Sequence, residues 1–220
     1  MPRHIAFLRA INVGGHVVAM QDLRELFEDL GFKGVETFIA SGNVIFVSPS
    51  TNVGALQKKI EAHLLKSLGY EVSTFIRTDA EVAAIARYKP FTDSEVHSAA
   101  TFCVAFLAEP LGAAAKKTVM SLRSDIDDFH VNGREVYWLS KNKQGEATFS
   151  NARLEKLLKA RATLRGSSSP KQGRCSRTIF YYSNRESRPA VPPRRSEAGR
   201  PPTGGEFQVR GGNARPSTRV

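Results

Sequence analysis

The chain has 220 residues, of which 41% are hydrophobic and 24% charged, values that suit a globular protein of one or two domains. It contains no run of about 18 apolar residues. Its start, Met1-Pro2-Arg3-His4, leads directly into a strand-like segment, so we expect neither a membrane span nor a signal peptide. Two cysteines are too few for a disulfide framework, which favours a reducing, cytoplasmic location.

The net charge of +11 is concentrated at the C-terminal end. Residues 166–220 hold 11 Lys and Arg against 3 Asp and Glu, and 32 of their 55 residues are Gly, Pro, Ser or Arg. Such a segment cannot bury enough apolar surface to offset its ordering entropy, so it predicts a disordered basic tail. The tail is either an arm that binds nucleic acid or a solvated segment without a binding role. Residues 1–165 carry only +3, which disfavours a nucleic-acid surface there.

Residues 1–78 show strand and helix patterns in the order βαββαβ. The apolar run Ile5–Val13 predicts a central strand covered on both faces, and the apolar spacing over 23–30 predicts an amphipathic helix. The remaining elements are strands at 35–39 and 44–47, a helix at 53–68 and a strand at 72–76. This order predicts a ferredoxin-like unit, in which two helices cover one face of an antiparallel four-stranded sheet.

Residues 79–99 predict a connecting segment between two subdomains. The pair Thr78 and Glu81 forms a capping box that opens a helix, and Pro90 begins a linker. Residues 100–165 then show the order βαββα, with Asn132-Gly133 as a hairpin turn. The predicted fold class is therefore α+β, with two ferredoxin-like subdomains of which the second lacks or replaces its final strand.

Two sequence segments carry a resemblance to a known family. They are Phe7-Leu8-Arg9-Ala10-Ile11-Asn12-Val13-Gly14-Gly15 and Ile39-Ala40-Ser41-Gly42-Asn43-Val44-Ile45-Phe46. Together they resemble the bacterial domain-of-unknown-function family numbered 1697, over residues 4–165. The resemblance implies two α+β, ferredoxin-like subdomains and assigns no activity.

The C-terminal end departs from the pattern of that family. Members typically end in a threonine, an arginine two residues later, an Asn-rich turn and a short apolar helix. Thr163-Leu164-Arg165 fits the start of this pattern, but Gly166-Ser167-Ser168-Ser169-Pro170 replaces the rest. Because Gly, Pro and Arg have GC-rich codons, we interpret residues 166–220 as a possible frameshift product. Resequencing the DNA after the Arg165 codon tests this hypothesis.

Arg9, Asn12, Gly14 and Gly15 form a candidate binding site after the first strand. A Gly-rich turn between a strand and a helix can present backbone N–H groups to an anion, and Arg9 can add a bidentate contact. This arrangement predicts a site for a small anion or a nucleotide. The alternative is a tight turn that requires positive φ, with Arg9 paired to an acidic neighbour.

Ser41, Gly42 and Asn43 form the turn of the first hairpin, where Asn and Gly are favoured for their backbone conformations. We expect this turn at the end of the sheet opposite the Arg9–Gly15 segment. Asn43 and Arg9 would then meet only through side chains on an open sheet face. We therefore include these three residues in the candidate site but favour a structural role.

An open sheet face leads to the second function class, a nucleic-acid-binding module. Ferredoxin-like RNA-binding proteins stack bases on exposed aromatic side chains, and Phe7 and Phe46 are the candidates here. The sequence shows no catalytic constellation, so it leaves open whether the protein is an enzyme. The five histidines lack metal-ligand spacing and Cys103 lies in an apolar strand. We expect no metal site and no cofactor.

Overall fold

The computed structural model describes residues 1–13, 15–38 and 42–166, and these belong to one compact unit. Its first half has the predicted order βαββαβ. The elements are β1 (Arg3–Leu8), α1 (Met20–Glu28), β2 (Lys33–Phe38), β3 (Asn43–Val47), α2 (Val53–Leu68) and β4 (Thr74–Thr78). The four strands form an antiparallel sheet in the order β2-β3-β1-β4.

Helix α2 illustrates how local sequence signals set the bounds of an element. The Asn52 side chain accepts a hydrogen bond from the backbone N–H of Ala55 at 2.9 Å, which satisfies one of the free donors at the helix start. Gly69 ends the helix in the left-handed conformation, with φ of 79°. Leu56, Ile60 and Leu64 lie on one face and are buried, so the helix packs on the sheet through that face.

The second half repeats the architecture of the first after two connecting helices, α3 (Asp79–Arg87) and α4 (Asp93–Ser98). Its elements are β5 (Thr101–Leu107), α5 (Ala113–Met120), β6 (Asp127–Asn132), β7 (Glu135–Ser140), α6 (Asn151–Leu158) and β8 (Ala162–Gly166). The sheet order is β6-β7-β5-β8, which matches the first sheet strand for strand. The described chain is therefore an internal structural repeat.

The prediction that the second half lacks its final strand is wrong. Strand β8 pairs antiparallel with β5, from Cys103 opposite Gly166 to Leu107 opposite Ala162. Two features conceal it in the sequence: it has only five residues, and Lys159, rather than a glycine, adopts the left-handed conformation that ends α6. Gly166 belongs to this strand and not to the predicted tail. Residues 167–220 lie outside the described residues.

Two other boundaries also differ from the prediction. Strand β1 ends at Leu8 rather than Val13, because Ala10 adopts a positive φ of 59° that an extended strand cannot accommodate. The expected linker contains helix α4, which is opened by a second capping box in which Thr92 and Glu95 bond each other's backbone N–H groups. No helix among the described residues is long and apolar enough to cross a membrane.

Strand β1 and its counterpart β5 are each buried on both faces, as the apolar run predicted for β1. In β1, Ile5 and Phe7 point toward the second sheet, whereas Ala6 and Leu8 point toward α1 and α2. Strand β5 alternates in the same way, because successive side chains of a strand point to opposite faces. The molecule therefore has four layers, in which the two sheets pack face to face and the helices α1, α2, α5 and α6 lie outside.

The core between the two sheets is largely aromatic. Phe7 of β1 stacks on Phe106 of β5 with ring centroids 4.1 Å apart. The other members of this core come from both sheets and from α3 and α4, and include Ile5, Ile45, Phe75, Val82, Val96, Phe102, Val104 and Tyr137. Because these side chains are buried, the inner faces of both sheets are closed to solvent.

Candidate functional site

Arg9, the charged residue of the predicted anion site, contacts a carboxylate of its own chain. Its Nε and Nη2 donate to the two carboxylate oxygens of Glu155, each at 2.7 Å. Glu155 lies on α6 in the second half, so this bidentate pair joins the two halves. The hydrogen bond to Glu155 raises the pKa of Arg9, which stays charged. The positive charge in this loop is therefore already neutralised.

Asn12 and Gly15 shape the loop between β1 and α1. The Asn12 side chain accepts a hydrogen bond from Val18 N–H at 2.6 Å and donates to the Val18 carbonyl at 3.4 Å, which closes the loop. Gly15 has a φ of 90°, a conformation that favours glycine. Gly14 lies outside the described residues. These contacts assign Asn12 a positioning role for the loop.

The expectation that the Gly42–Asn43 turn lies at the opposite end of the sheet from Arg9 is wrong. Strand β3 runs antiparallel to both β1 and β2, so β1 and β2 end at the same edge. Leu8 N–H donates to the Gly42 carbonyl at 2.8 Å, directly beside Arg9. Gly42 has a φ of 74°, and a Cβ there would overlap the Ile11 side chain. Ser41 lies outside the described residues.

Arg165 of β8 binds this turn and was not among the predicted site residues. Its Nε donates to Asn43 Oδ1 at 2.7 Å, and its Nη2 donates to the carbonyls of Leu8 at 2.8 Å and Gly42 at 3.4 Å. Its Nη1 donates to Thr163 Oγ1 at 2.7 Å. The two predicted segments therefore do meet, but around a buried arginine of the second half rather than around Arg9.

Arg77 of β4 makes the equivalent contacts from the first half to the second. Its Nε donates to Glu135 Oε1 at 2.7 Å, and its Nη2 donates to the carbonyls of Leu107 at 2.9 Å and Arg134 at 3.3 Å. Burial lowers the pKa of Arg77, and the adjacent Glu135 carboxylate opposes this effect. Arg77 is the fourth residue of β4 and Arg165 the fourth residue of β8. Each half thus extends one arginine into the hairpin turn of the other.

A sequence signal for these arginines exists, but it is weak. Phe75-Ile76-Arg77 and Thr163-Leu164-Arg165 both place an arginine directly after buried or half-buried strand residues. An arginine at such a position is rarely buried unless it is paired. The equivalence of Arg77 and Arg165 becomes visible only when the internal repeat is known, and strand β8 of that repeat was not predicted.

A cavity with a volume of about 580 Å³ lies where the two halves meet. Its walls are α2, the start of β4 and the segment 107–112 that links β5 to α5. Apolar side chains such as Leu65, Phe75 and Leu111 line it, together with the carboxylates of Glu61 and Glu109. At one end Arg161 donates to Glu71 at 2.6 Å. No local sequence pattern predicts this cavity, because its walls come from both halves.

Other titratable groups have structural contacts or are buried. The His16 ring stacks on Tyr70 with centroids 3.8 Å apart, and the Tyr70 hydroxyl donates to the Ile11 carbonyl at 2.8 Å. Cys103 is a buried free thiol, and burial raises its pKa to about 12. The described residues contain no group of three or more His, Cys, Asp or Glu side chains placed to hold a metal ion.

Fold and contacts together define a class of protein. It is a four-layer α+β protein made of two repeated halves, each of which extends a buried arginine into the hairpin turn of the other. The family model described as "Protein of unknown function (DUF1697)" matches residues 1–137, and the chain belongs to this family. The match confirms the resemblance that the segments 7–15 and 39–46 indicated.

Among solved structures, the chain is similar to the conserved bacterial protein SP0830 from Streptococcus pneumoniae. The similarity has a TM-score of 0.63 with 24% sequence identity, and covers 83% of this chain and 97% of that chain. At this identity the similarity shows the fold alone. No curated protein matches the chain.

Proposed function

We propose that this protein is a cytoplasmic small-molecule-binding module. In this proposal it has two ferredoxin-like subdomains, residues 1–78 and 100–165, which a connecting segment at 79–99 joins. The identical strand order of the two sheets supports the ferredoxin-like assignment. The buried free thiol of Cys103 is typical of proteins from reducing compartments, which supports a cytoplasmic location.

The cavity between α2 and the segment 107–112 is the observation that carries this proposal. Its volume of about 580 Å³ lies within the range of small-molecule sites. Its apolar walls can bury the hydrocarbon part of a ligand, while the carboxylates of Glu61 and Glu109 can orient a polar group. Both halves contribute to its walls, the first through α2 and residues 71–75 and the second through the segments 107–112 and 160–161.

This location replaces the Arg9–Gly15 turn as the favoured site. Binding an anion there would require Arg9 to exchange the bidentate Glu155 carboxylate for the ligand. The anion or nucleotide hypothesis stays a prediction, and titration with inorganic phosphate tests it. An affinity for phosphate that the Arg9→Ala variant loses would favour it.

The nucleic-acid alternative rests on two surfaces, an open sheet face and the basic tail, and the fold argues against the first. Phe7 and Phe46, the proposed stacking platforms, are both fully buried, Phe7 in the core between the sheets and Phe46 in the core beneath α1 and α2. A base cannot reach either ring in this fold, so neither phenylalanine can act as the stacking platform that the open-face hypothesis requires. Binding through the basic tail concerns residues outside the described part of the chain and stays a prediction.

A fragment screen with a cavity-filling variant tests the proposal. Ala62 and Ala55 are both exposed alanines of α2, but only Ala62 lines the cavity. We expect small amphipathic fragments to bind the full chain in ligand-observed NMR, to lose binding in Ala62→Trp and to keep it in Ala55→Trp. The proposal fails if no fragment binds, or if the two variants bind every fragment equally well.

A further inference from the structure

The internal repeat makes Arg9 and Ala108 equivalent positions. Leu8 and Leu107 end the first strand of their halves, and each donates its N–H to the carbonyl of a hairpin turn, at 2.8 Å and 2.9 Å respectively. The carbonyl of each also accepts from the buried arginine of the other half, at 2.8 Å and 2.9 Å. The next residue is Arg9 in the first half and Ala108 in the second.

Glu155 and Glu61 are likewise equivalent. Each lies on the second helix of its half and caps the first backbone N–H of the strand that follows. Glu155 Oε1 accepts from Ala162 N–H at 2.7 Å, and Glu61 Oε1 accepts from Thr74 N–H at 2.8 Å. The two glutamates therefore lie at matching positions beneath the matching loops.

The two positions differ in one respect, which is the guanidinium. Glu155 accepts hydrogen bonds from Nε and Nη2 of Arg9, whereas alanine at 108 has no group that can reach Glu61. Glu61 Oε1 accepts a second hydrogen bond from Gln57 Nε2 at 3.2 Å, and within the described residues no donor bonds its Oε2. The cavity of about 580 Å³ lies at this position, and Glu61 and Ala108 both line it.

We propose that this cavity binds an alkylguanidinium ion, whose guanidinium occupies the place beside Glu61 that Arg9 occupies beside Glu155. This inference rests on the proposed function of the cavity and names its ligand class. The other charged groups of the lining favour a cation, because Glu71 and Glu109 are also present and Arg161 already contacts Glu71. The apolar lining, including Leu65 and Leu111, suits the alkyl part. The planar donor set of a guanidinium matches a carboxylate bidentately.

Calorimetric titration of the full chain with n-butylguanidinium and its neutral analogue n-butylurea tests the ligand class. We expect n-butylguanidinium to bind at least ten times more tightly than the urea, and Glu61→Gln to remove this preference. Gln keeps an oxygen acceptor for Thr74 N–H, so the fold should be retained. Glu146→Gln, an exposed change away from the cavity, is the matched control and should keep the preference.

The outcomes separate this inference from the proposed function. Equal binding of the two probes, or a preference that Glu61→Gln leaves intact, overturns the guanidinium inference while the cavity remains a binding site. The same holds if fragments bind in the Ala62-dependent manner but n-butylguanidinium does not. If neither fragments nor n-butylguanidinium bind, both proposals fail.

A variant that supplies the missing side chain gives an independent test. Ala108→Arg restores the residue type found at the equivalent position, and we expect it to raise the melting temperature and to abolish n-butylguanidinium binding. Ala108→Met is the control, because it adds a side chain of comparable bulk without charge. If the two variants change the melting temperature equally, charge complementarity with Glu61 is absent and the inference is overturned. A failure of Ala108→Arg to fold while Ala108→Met folds also overturns it.

Discussion

Arg77 and Arg165 show why a buried charge can be stable at the centre of this protein. A guanidinium carries five N–H donors, and leaving such a group buried without partners is expensive. Arg77 has a carboxylate partner in Glu135 and three backbone carbonyl partners. Each guanidinium also lies over a ring of the inter-sheet core, Arg77 over Phe106 at 5.4 Å and Arg165 over Phe7 at 5.8 Å.

Replacing Arg77 with methionine should destabilise the protein strongly. The side chain of Glu135 is only 10% exposed, so the change leaves a carboxylate buried without its cation. We expect the free energy of unfolding, measured by urea denaturation, to fall by about 3–5 kcal/mol. The double variant Arg77→Met/Glu135→Leu should recover part of the loss. A loss below about 1 kcal/mol in the single variant would contradict this role.

His4 should make the stability of the protein depend on pH. It is buried on β1 beside Phe46, and burial lowers its pKa below the ordinary value of about 6.5. As pH falls below this value, the unfolded chain takes up a proton that the folded state resists, so the stability falls. Its contribution is thus fully present above the ordinary pKa and is lost on acidification.

Urea denaturation at pH 7.5 and pH 5.5 measures this effect. The stability lost between the two values should be smaller in His4→Leu than in the unmodified chain, by up to about 1 kcal/mol. Some pH dependence should remain, because burial also lowers the pKa of His130. The exposed Thr51→Leu change, which removes no titratable group, is the control and should leave the loss unchanged. An unchanged loss in His4→Leu would show that His4 does not titrate differently on folding.

At the scale of elements, β8 is the strand that completes the second sheet. It is paired with β5 on one side, and Ala162, Thr163 and Arg165 are buried. Its Arg165 side chain also contacts the first hairpin turn through Asn43 and the adjacent Leu8 carbonyl. Removing this strand therefore removes both a sheet edge and a link between the halves.

Two truncated chains test the role of β8. The chain 1–166 should fold, whereas 1–160 should melt at least about 10 °C lower, because a loss of several kcal/mol shifts the midpoint by that amount in a protein of this size. Circular dichroism melts measure the difference. Arg165→Met in the 1–166 chain isolates the contribution of the arginine. Equal melting temperatures for 1–166 and 1–160 would show that β8 adds little to the fold.

At the scale of the whole molecule, charge and folded structure are separated along the chain. Residues 1–165 carry +3 and residues 166–220 carry +8. Nonspecific affinity for nucleic acid comes mainly from the number of phosphates that Lys and Arg neutralise. The two packed sheets offer no exposed aromatic platform at Phe7 or Phe46.

Any affinity for nucleic acid should therefore disappear when residues 167–220 are deleted. Fluorescence anisotropy with a labelled single-stranded oligonucleotide at about 50 mM and 200 mM salt measures it, since electrostatic binding falls steeply over this range. The full chain is the control. Affinity that survives in the 1–166 chain with a steep salt dependence would place the binding surface on the folded halves. The frameshift after about Arg165 stays a prediction that resequencing tests.

Local patterns in the sequence were enough to predict most of the elements and the α+β class. The spacing of Leu23 and Phe27, the Thr78–Glu81 capping box and the Asn132-Gly133 turn each act over a few residues, so they can be predicted without knowing the fold. The run Ile5–Val13 also indicated correctly that the first strand is buried on both faces, although β1 ends at Leu8. Strand β8 was not predicted, because it has only five residues and lies where the composition of the chain changes.

Only the tertiary structure decided which surfaces meet and what the candidate residues contact. Arg9 and Glu155 are 146 residues apart, and Arg165 and Asn43 are 122 apart, so no local pattern can pair them. The sequence by itself determined most of the elements and their order, because helix and strand periods depend on near neighbours. The packing of one sheet on the other placed Arg9 beside a carboxylate and left Glu61 facing a cavity, because such contacts depend on how distant segments are brought together.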